Sequence, residues 1–489
     1  MSILSIEYLL LAAGVLILYY LLPLKTRWIA LLAGSAAFVA LSGWYSAAHL
    51  TTAALVMWSG GLILQRRKNR LLLAFLLILD LGAMVFLKFY PAFSGETAFF
   101  GFELILPVGL SYFTFQSAGY LIDVYRGKTE AQKNPLKAWL FIGYFPQLAQ
   151  GPISTWKELG PQLLAGHRLE PENIVSGFQL MLWGMFKKMV IADRLVPTTT
   201  ALLETGELPG WFILGGVILY TIRLYTDFSG GMDVIRGISR MAGIELPENF
   251  RRPFFSQSVG EYWRRWHITL GAWFRSYVLY PLTTCRAGIA LGKCASRLFG
   301  KKTGRMVPSA LATVLVFLLI GIWHMAHWNA VVYGLYFGLV MAASMLLEPL
   351  WKTMRATLNM PLKKTGISVF RMVRTWLLIL PAQIFAFANN PAQGFSLLSG
   401  IFRNWNFSGF AEQTAAVMEP LEWMIAGAGC LIVLFVDLLC ECKKDVCGGL
   451  ARAHFWMRWP VLLLLILAIV TFGMYGAGYD GAAFLYTQF

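Results

Sequence analysis

Long runs of apolar residues separated by short polar stretches dominate this chain. The runs fall near 6–23, 28–46, 50–64, 71–90, 104–122, 174–192, 211–228, 308–323, 328–347, 371–388, 421–440 and 457–475. A helix needs about 20 apolar residues to cross a bilayer, and these runs are of that order. The pattern predicts an all-α polytopic membrane protein with about 11–13 transmembrane helices. Two further apolar segments, 139–152 and 266–282, are interrupted by Pro, Gly, Arg or His. They read as re-entrant or half-buried helices, which are tolerated at membrane depth only where protein or water surrounds the backbone.

Composition agrees with this reading. The chain is 57% hydrophobic and only 13% charged, whereas soluble domains carry about 25% charged residues. Its net charge of +16 does not indicate nucleic acid, because the basic residues sit in clusters between apolar runs rather than on a soluble patch. Those clusters set an expected orientation. Lys25 and Arg27, Arg66–Arg70, Arg126–Lys137, the segment 230–307, Lys352–Lys364, and Lys443 with Lys444 alternate with stretches poor in Lys and Arg near 43–49, 91–103, 193–210 and 389–420. The basic stretches are expected in the cytoplasm, with both termini outside. Glu7, not a basic residue, precedes the first run, which favours a retained span over a cleaved signal. The six cysteines lack paired CxxC spacing, so reduced thiols and no metal site are expected. No repeat or linker divides residues 1–489, which read as a single membrane domain.

An ionisable residue in or beside a span is a functional candidate by default. His324 lies in Gly321-Ile322-Trp323-His324-Met325-Ala326-His327-Trp328-Asn329, between two apolar runs. Partial desolvation beside Trp323 and Trp328 would lower its pKa and leave a neutral imidazole able to accept a proton. The alternative is a histidine hydrogen-bonded to a neighbouring helix. His267 lies in Glu261-Tyr262-Trp263-Arg264-Arg265-Trp266-His267. On a continuous helix it shares a face with Trp263. That stretch reads either as an interfacial anchor or as part of a basic, aromatic-lined pocket suited to a phosphate-bearing acyl donor. Asp227-Phe228-Ser229-Gly230-Gly231 reads either as a polar break near a pocket or as an ordinary span terminus. Asp80, Lys88 and Asp437 are expected to be paired. The C-terminal Phe484-Leu485-Tyr486-Thr487-Gln488-Phe489 reads, by composition, as an interfacial aromatic belt.

Taken together, several strings resemble the membrane-bound O-acyltransferase family, in particular its alginate O-acetylation branch. They are Pro107-Val108-Gly109-Leu110-Ser111-Tyr112-Phe113-Thr114-Phe115-Gln116, Phe145-Pro146-Gln147-Leu148 followed by Gln150-Gly151-Pro152-Ile153, Asp227-Phe228-Ser229-Gly230, Asn249-Phe250-Arg251-Arg252-Pro253-Phe254, Trp263-Arg264-Arg265-Trp266-His267, Gly321-Ile322-Trp323-His324, and the tail Phe484–Phe489. They span about residues 100–489, after N-terminal spans in 1–100. Residues 100–475 form the core of the resemblance and 476–489 an extracytoplasmic tail.

The resemblance implies a ring of helices around a cytoplasmic funnel and a thin tunnel. His324 matches the family's catalytic histidine and His267 a second histidine near the tunnel. Trp266, Trp323, Trp328, Asn329, Asn249, Arg251 and Gln116 would line the substrate path. It also implies acetyl-CoA, or another acyl-CoA, as donor substrate, and no tightly bound cofactor. Tyr486 would receive the acyl group. The implied partners are an extracytoplasmic esterase-fold acyltransferase, a polysaccharide acceptor and membrane lipid, and the implied location is the bacterial cytoplasmic membrane. Met325 departs from the family's glycine, and Leu485 and Thr487 from its tail pattern. Two alternatives use the same residues: D-alanyl transfer from a carrier protein, and a transporter or conduit without chemistry.

Overall fold

The computed structural model describes residues 3–99, 102–203, 208–357 and 365–475. Their regular structure is helical, apart from a two-residue antiparallel pairing of Ala98–Phe99 with Phe102–Glu103 and one isolated bridge. Among them, nine helices are long and apolar enough to cross a membrane. The chain is an all-α polytopic membrane protein. Three expected spans are helices outside those nine. Ile6–Leu21 has 16 residues, Leu110–Arg126 has 17, and Gly210–Met241 has polar residues along its second half. The helices most exposed to the surroundings are apolar on almost every side. Leu71, Ile78, Leu431 and Leu464 are each at least 66% exposed, as side chains that face lipid must be.

The chain divides into two compact units. Among the described residues, one holds those up to Arg194, Arg223–Glu248 and Glu422–Tyr475; the other holds those of Leu195–Ile222 and Asn249–Leu421.

In the first unit, Tyr8, Phe38 and Phe145 meet edge-on or tilted, with Tyr8 5.7 Å from Phe38 and 5.8 Å from Phe145. The buried hydroxyl of Ser35 accepts from the Phe145 backbone N–H at 3.1 Å and donates to the Leu31 carbonyl at 2.7 Å. The helix Pro171–Met185 continues into a π-helical turn, Phe186–Ala192. Glycines let it lie against the second half of Gly210–Met241. A Cβ on Gly177 would stand 2.6 Å from the Gly237 carbonyl oxygen. Close backbone approach through small residues is how helices associate where water supplies no driving force.

Asp227-Phe228-Ser229 does not end a helix. It lies in mid-helix within Gly210–Met241. The helix continues because its polar groups are satisfied internally. The buried Lys188 ammonium pairs with Asp227 and, at 2.6 Å, with Asp193. Lys187 donates to Ser229 at 2.9 Å and to Asp233 at 2.7 Å. The wide π turn lets two consecutive lysines reach the same facing helix.

The second unit is built on a helical hairpin. Val307–His324 and Trp328–Leu346 are joined by only three residues. Gly321, Gly334 and Gly338 lie at its seam, and a Cβ on Gly334 would stand 2.6 Å from the Phe317 carbonyl oxygen. Thr365–Phe387 packs on the hairpin, with the Tyr336 hydroxyl donating to the Leu378 carbonyl at 2.9 Å. Leu202, Ile213, Val217, Leu380, Ile384, Leu397 and Ile401 form an apolar core. The expected broken helix at 266–282 is a series of short pieces, Ile268–Phe274, Arg275–Leu279 and Tyr280–Thr284.

The hairpin seam makes a prediction. Gly334→Ala forces a methyl against backbone, and overpacking of this kind costs about 1–3 kcal/mol. Detergent-solubilised Gly334→Ala should therefore melt several degrees below the parent. Gly427→Ala, where an added Cβ meets nothing within 4 Å, should melt no lower than the parent.

Candidate functional site

The short helix Val259–Arg265 begins at Ser258, whose hydroxyl accepts from the Glu261 N–H at 3.1 Å. An ion pair between Arg265 and Glu261 at 2.7 Å supports its single face. The helix then stops. Trp266 is extended, and His267 takes a left-handed conformation with φ +44° before the next helix starts at Ile268. The expected helical face joining Trp263 to His267 therefore does not form. A non-glycine residue held at positive φ persists only where its surroundings over-determine it.

Asn249 supplies that constraint. Phe250 pairs with Trp266 as an isolated antiparallel bridge. The Arg251 N–H donates to the Arg265 carbonyl at 2.8 Å, and the Ile268 N–H donates to the Asn249 carbonyl at 3.0 Å. The Asn249 side-chain oxygen accepts from both the N–H and the hydroxyl of Thr269, each at 3.0 Å. The same oxygen lies 3.3 Å from His267 Nδ1. An oxygen that only accepts requires the hydrogen on Nδ1, so the Nε2 lone pair is left as the acceptor. His267 lies outside the nine candidate spans and is 1% exposed. Burial pushes its pKa down and holds it neutral.

His324 ends the helix Val307–His324 and is half-buried. Its ring centre is 6.4 Å from that of His267. The buried Trp323 ring stands 4.5 Å from His324 and 6.2 Å from His267. The two histidines, far apart in sequence, are thus neighbours around one indole. A cavity of about 140 Å³ opens beside His267. Trp263, Phe274, Thr313, Phe317 and Met341 are among its walls, and Arg264 and Arg275, both exposed, border it.

The other candidates are placed as follows. Trp266 is 4% exposed, stacked on Tyr262 at 5.6 Å and edge-on to Phe250 at 4.9 Å, within the clamp around His267. Arg251 is exposed and joins the clamp through its backbone. Asn329 is 2% exposed and donates to the Ala388 carbonyl. Trp328 is 69% exposed, so Trp323 alone of the two indoles supports His324. The reason is helical: Trp328 starts a new helix after the joint and points away from the seam. Gln116 belongs to the first unit, where it is 4% exposed and its amide lies 3.5 Å from the Ser154 carbonyl. Tyr486 lies outside the described residues.

Sequence reasoning missed Thr269, Thr313 and Met341 at the site and the Lys187–Lys188 pair in the other unit. Two consecutive lysines inside the apolar run 174–192 were a readable signal, because charges in a span demand partners. Thr269 and Met341 carried none.

Two outcomes follow from the clamp. Asn249→Ala leaves the Thr269 donors unpartnered at a cost of about 1–3 kcal/mol. It also frees the His267 ring, and an error of about 1 Å at a reacting group can cost roughly 100-fold in rate. Turnover should fall far more than thermal stability. As to pH, the unfolded chain binds a proton at His267 below about pH 6.5 that the folded chain refuses. The stability due to neutral burial is full above that pH and is lost progressively towards the folded value of about 3. The melting temperature should therefore fall between pH 7 and 5, and less steeply in His267→Gln.

No family model matches the chain. It is 29% identical over 417 residues to the probable alginate O-acetylase AlgI of Azotobacter vinelandii, covering 80% of this chain and 76% of that one. It is 30% identical to the peptidoglycan O-acetyltransferase of Helicobacter pylori, over 49% of this chain and 47%, about half, of that protein. It is 27% identical to the teichoic acid D-alanyltransferase of Streptococcus thermophilus, over 60% of this chain and 67% of that one. These relatives agree with the resemblance carried by the ordered strings: the chain is a homologue of the alginate O-acetylation branch of the membrane-bound O-acyltransferase family.

Proposed function

We propose that this protein is a bacterial cytoplasmic-membrane acyltransferase. It takes an acyl group, in the first instance acetyl, from a cytoplasmic CoA thioester and passes it outward for O-acylation of a polysaccharide. The observation that carries the reading is the pair of imidazoles 6.4 Å apart, one of which, His267, lines a cavity. Relatives named O-acetyltransferases and a D-alanyltransferase support the reaction class. The basic loops give the orientation, with the donor side in the cytoplasm and both termini outside.

In this reading His324 is the general base and Tyr486 the nucleophile. The phenol proton moves to His324, and the tyrosine oxygen attacks the thioester carbonyl carbon. The C–S bond then breaks, and His324 returns the proton to the departing thiolate. The products are free CoA and an acyl-tyrosine ester. His267, with its Nε2 lone pair set by Asn249, accepts a hydrogen bond from an amide N–H of the thioester's pantetheine arm. The ester then presents its acyl group outside, where an esterase-fold partner moves it to a sugar hydroxyl. A covalent carrier meets a physical need, since CoA is too polar to cross lipid while the acceptor lies beyond it.

The D-alanyltransferase relative favours one second reading, in which the thioester is borne by a phosphopantetheinyl carrier protein. Purified protein offered each donor in turn separates the two by which thiol is released.

The relay itself is tested with acetyl-labelled CoA and with polysaccharide from cells. His324→Ala should lower CoA release by about 10²–10⁴-fold, the usual weight of general-base help. Tyr486→Phe should leave no acyl label on the protein and no acylated polysaccharide. Undiminished acylation in Tyr486→Phe cells rules out the relay.

A further inference from the structure

The cavity beside His267 is larger than an acetyl group requires. Its volume is about 140 Å³, close to the roughly 150 Å³ of an engineered apolar cavity that takes benzene. An acetyl group would fill less than half of it. The walls are chiefly apolar or aromatic, with Trp263, Leu270, Phe274, Val316, Phe317 and Met341 among them. The Thr313 hydroxyl is already spent on the Ser309 carbonyl at 2.7 Å. Such a lining suits methylenes, and the flexible thioether of Met341 adapts to their length.

Two glycines hold this space open. Gly260 and Gly271 both line the cavity. A Cβ on Gly260 would meet the Met341 methyl at 3.5 Å, and one on Gly271 would meet only the Trp263 carbonyl oxygen at 3.7 Å. These are ordinary contacts, so neither glycine is required by close packing or by a positive φ. Both sit in helices, where alanine is the better former. Their use lies in the room that they leave.

We infer that this cavity is an acyl-chain pocket that admits donors longer than acetyl, up to about butyryl, and that Gly260, Gly271 and Met341 set that ceiling. The inference rests on the proposed function, because it takes the thioester carbonyl to lie at the two histidines. The acyl chain then extends past His267 into the pocket.

The experiment measures CoA release by the purified full-length protein from acetyl-, butyryl- and octanoyl-CoA. The parent should turn over butyryl-CoA within about tenfold of acetyl-CoA and reject octanoyl-CoA. One methylene in an apolar pocket is worth roughly 10–200-fold in kcat/KM. Gly271→Val should therefore lower the butyryl-to-acetyl ratio by about tenfold or more, and Met341→Ala should raise octanoyl relative to acetyl. If Gly271→Val fails to fold, judged by its melting curve, Gly260→Ala reads the same ratio with a smaller added group. A parent that uses acetyl-CoA but refuses butyryl-CoA overturns the pocket and leaves the proposed function standing. So does a ratio that neither glycine variant moves. No CoA release from any of the three overturns the acyl-CoA function itself, and the pocket with it.

Discussion

A single buried oxygen organises the site. The side-chain oxygen of Asn249 meets two donors from Thr269 and lies beside His267 Nδ1. Breaking a helix in the interior leaves backbone donors and acceptors that nothing else satisfies. Here the break at Trp266 and His267 is bridged by strand-like bonds to Asn249 and Arg251 and closed by that oxygen. The clamp thus performs two tasks. It makes a left-handed histidine tolerable, and it decides which ring nitrogen keeps its lone pair.

The helical hairpin brings His324 to this clamp. Its seam is lined with glycine, so its two backbones nearly touch, and three residues suffice to turn the chain. His324 is the last residue of the first helix, where a histidine can leave the apolar seam while its neighbour Trp323 stays in it. The Trp323 ring, carried by the hairpin, packs beside His267 in the clamp, and the spacing of the two imidazoles follows from both. Under the proposed function, catalysis then depends on packing as much as on the histidines themselves.

The other unit solves the same problem with charges. Lys188 lies between Asp193 and Asp227, while Lys187 reaches Ser229 and Asp233. Removing one member would leave an uncompensated charge in a low-dielectric interior, which costs far more than the net worth of the pair. The long helix Gly210–Met241 remains helical through Asp227 for this reason.

By itself, the sequence determined that this chain is a set of lipid-facing helices. Length and apolar content decide that without knowledge of neighbours. It also singled out both histidines, because ionisable groups near spans are costly and therefore informative. Only the tertiary structure decided that they share one indole, that Trp328 faces away while Trp323 faces in, and that the helix stops at Trp266. Those outcomes depend on Asn249, Thr269 and Gly334, which come from separate segments. A left-handed residue and a glycine seam are stabilised by contacts with other elements: the Asn249 oxygen comes from a segment ahead of the broken helix, and Gly334 from the second arm of the hairpin.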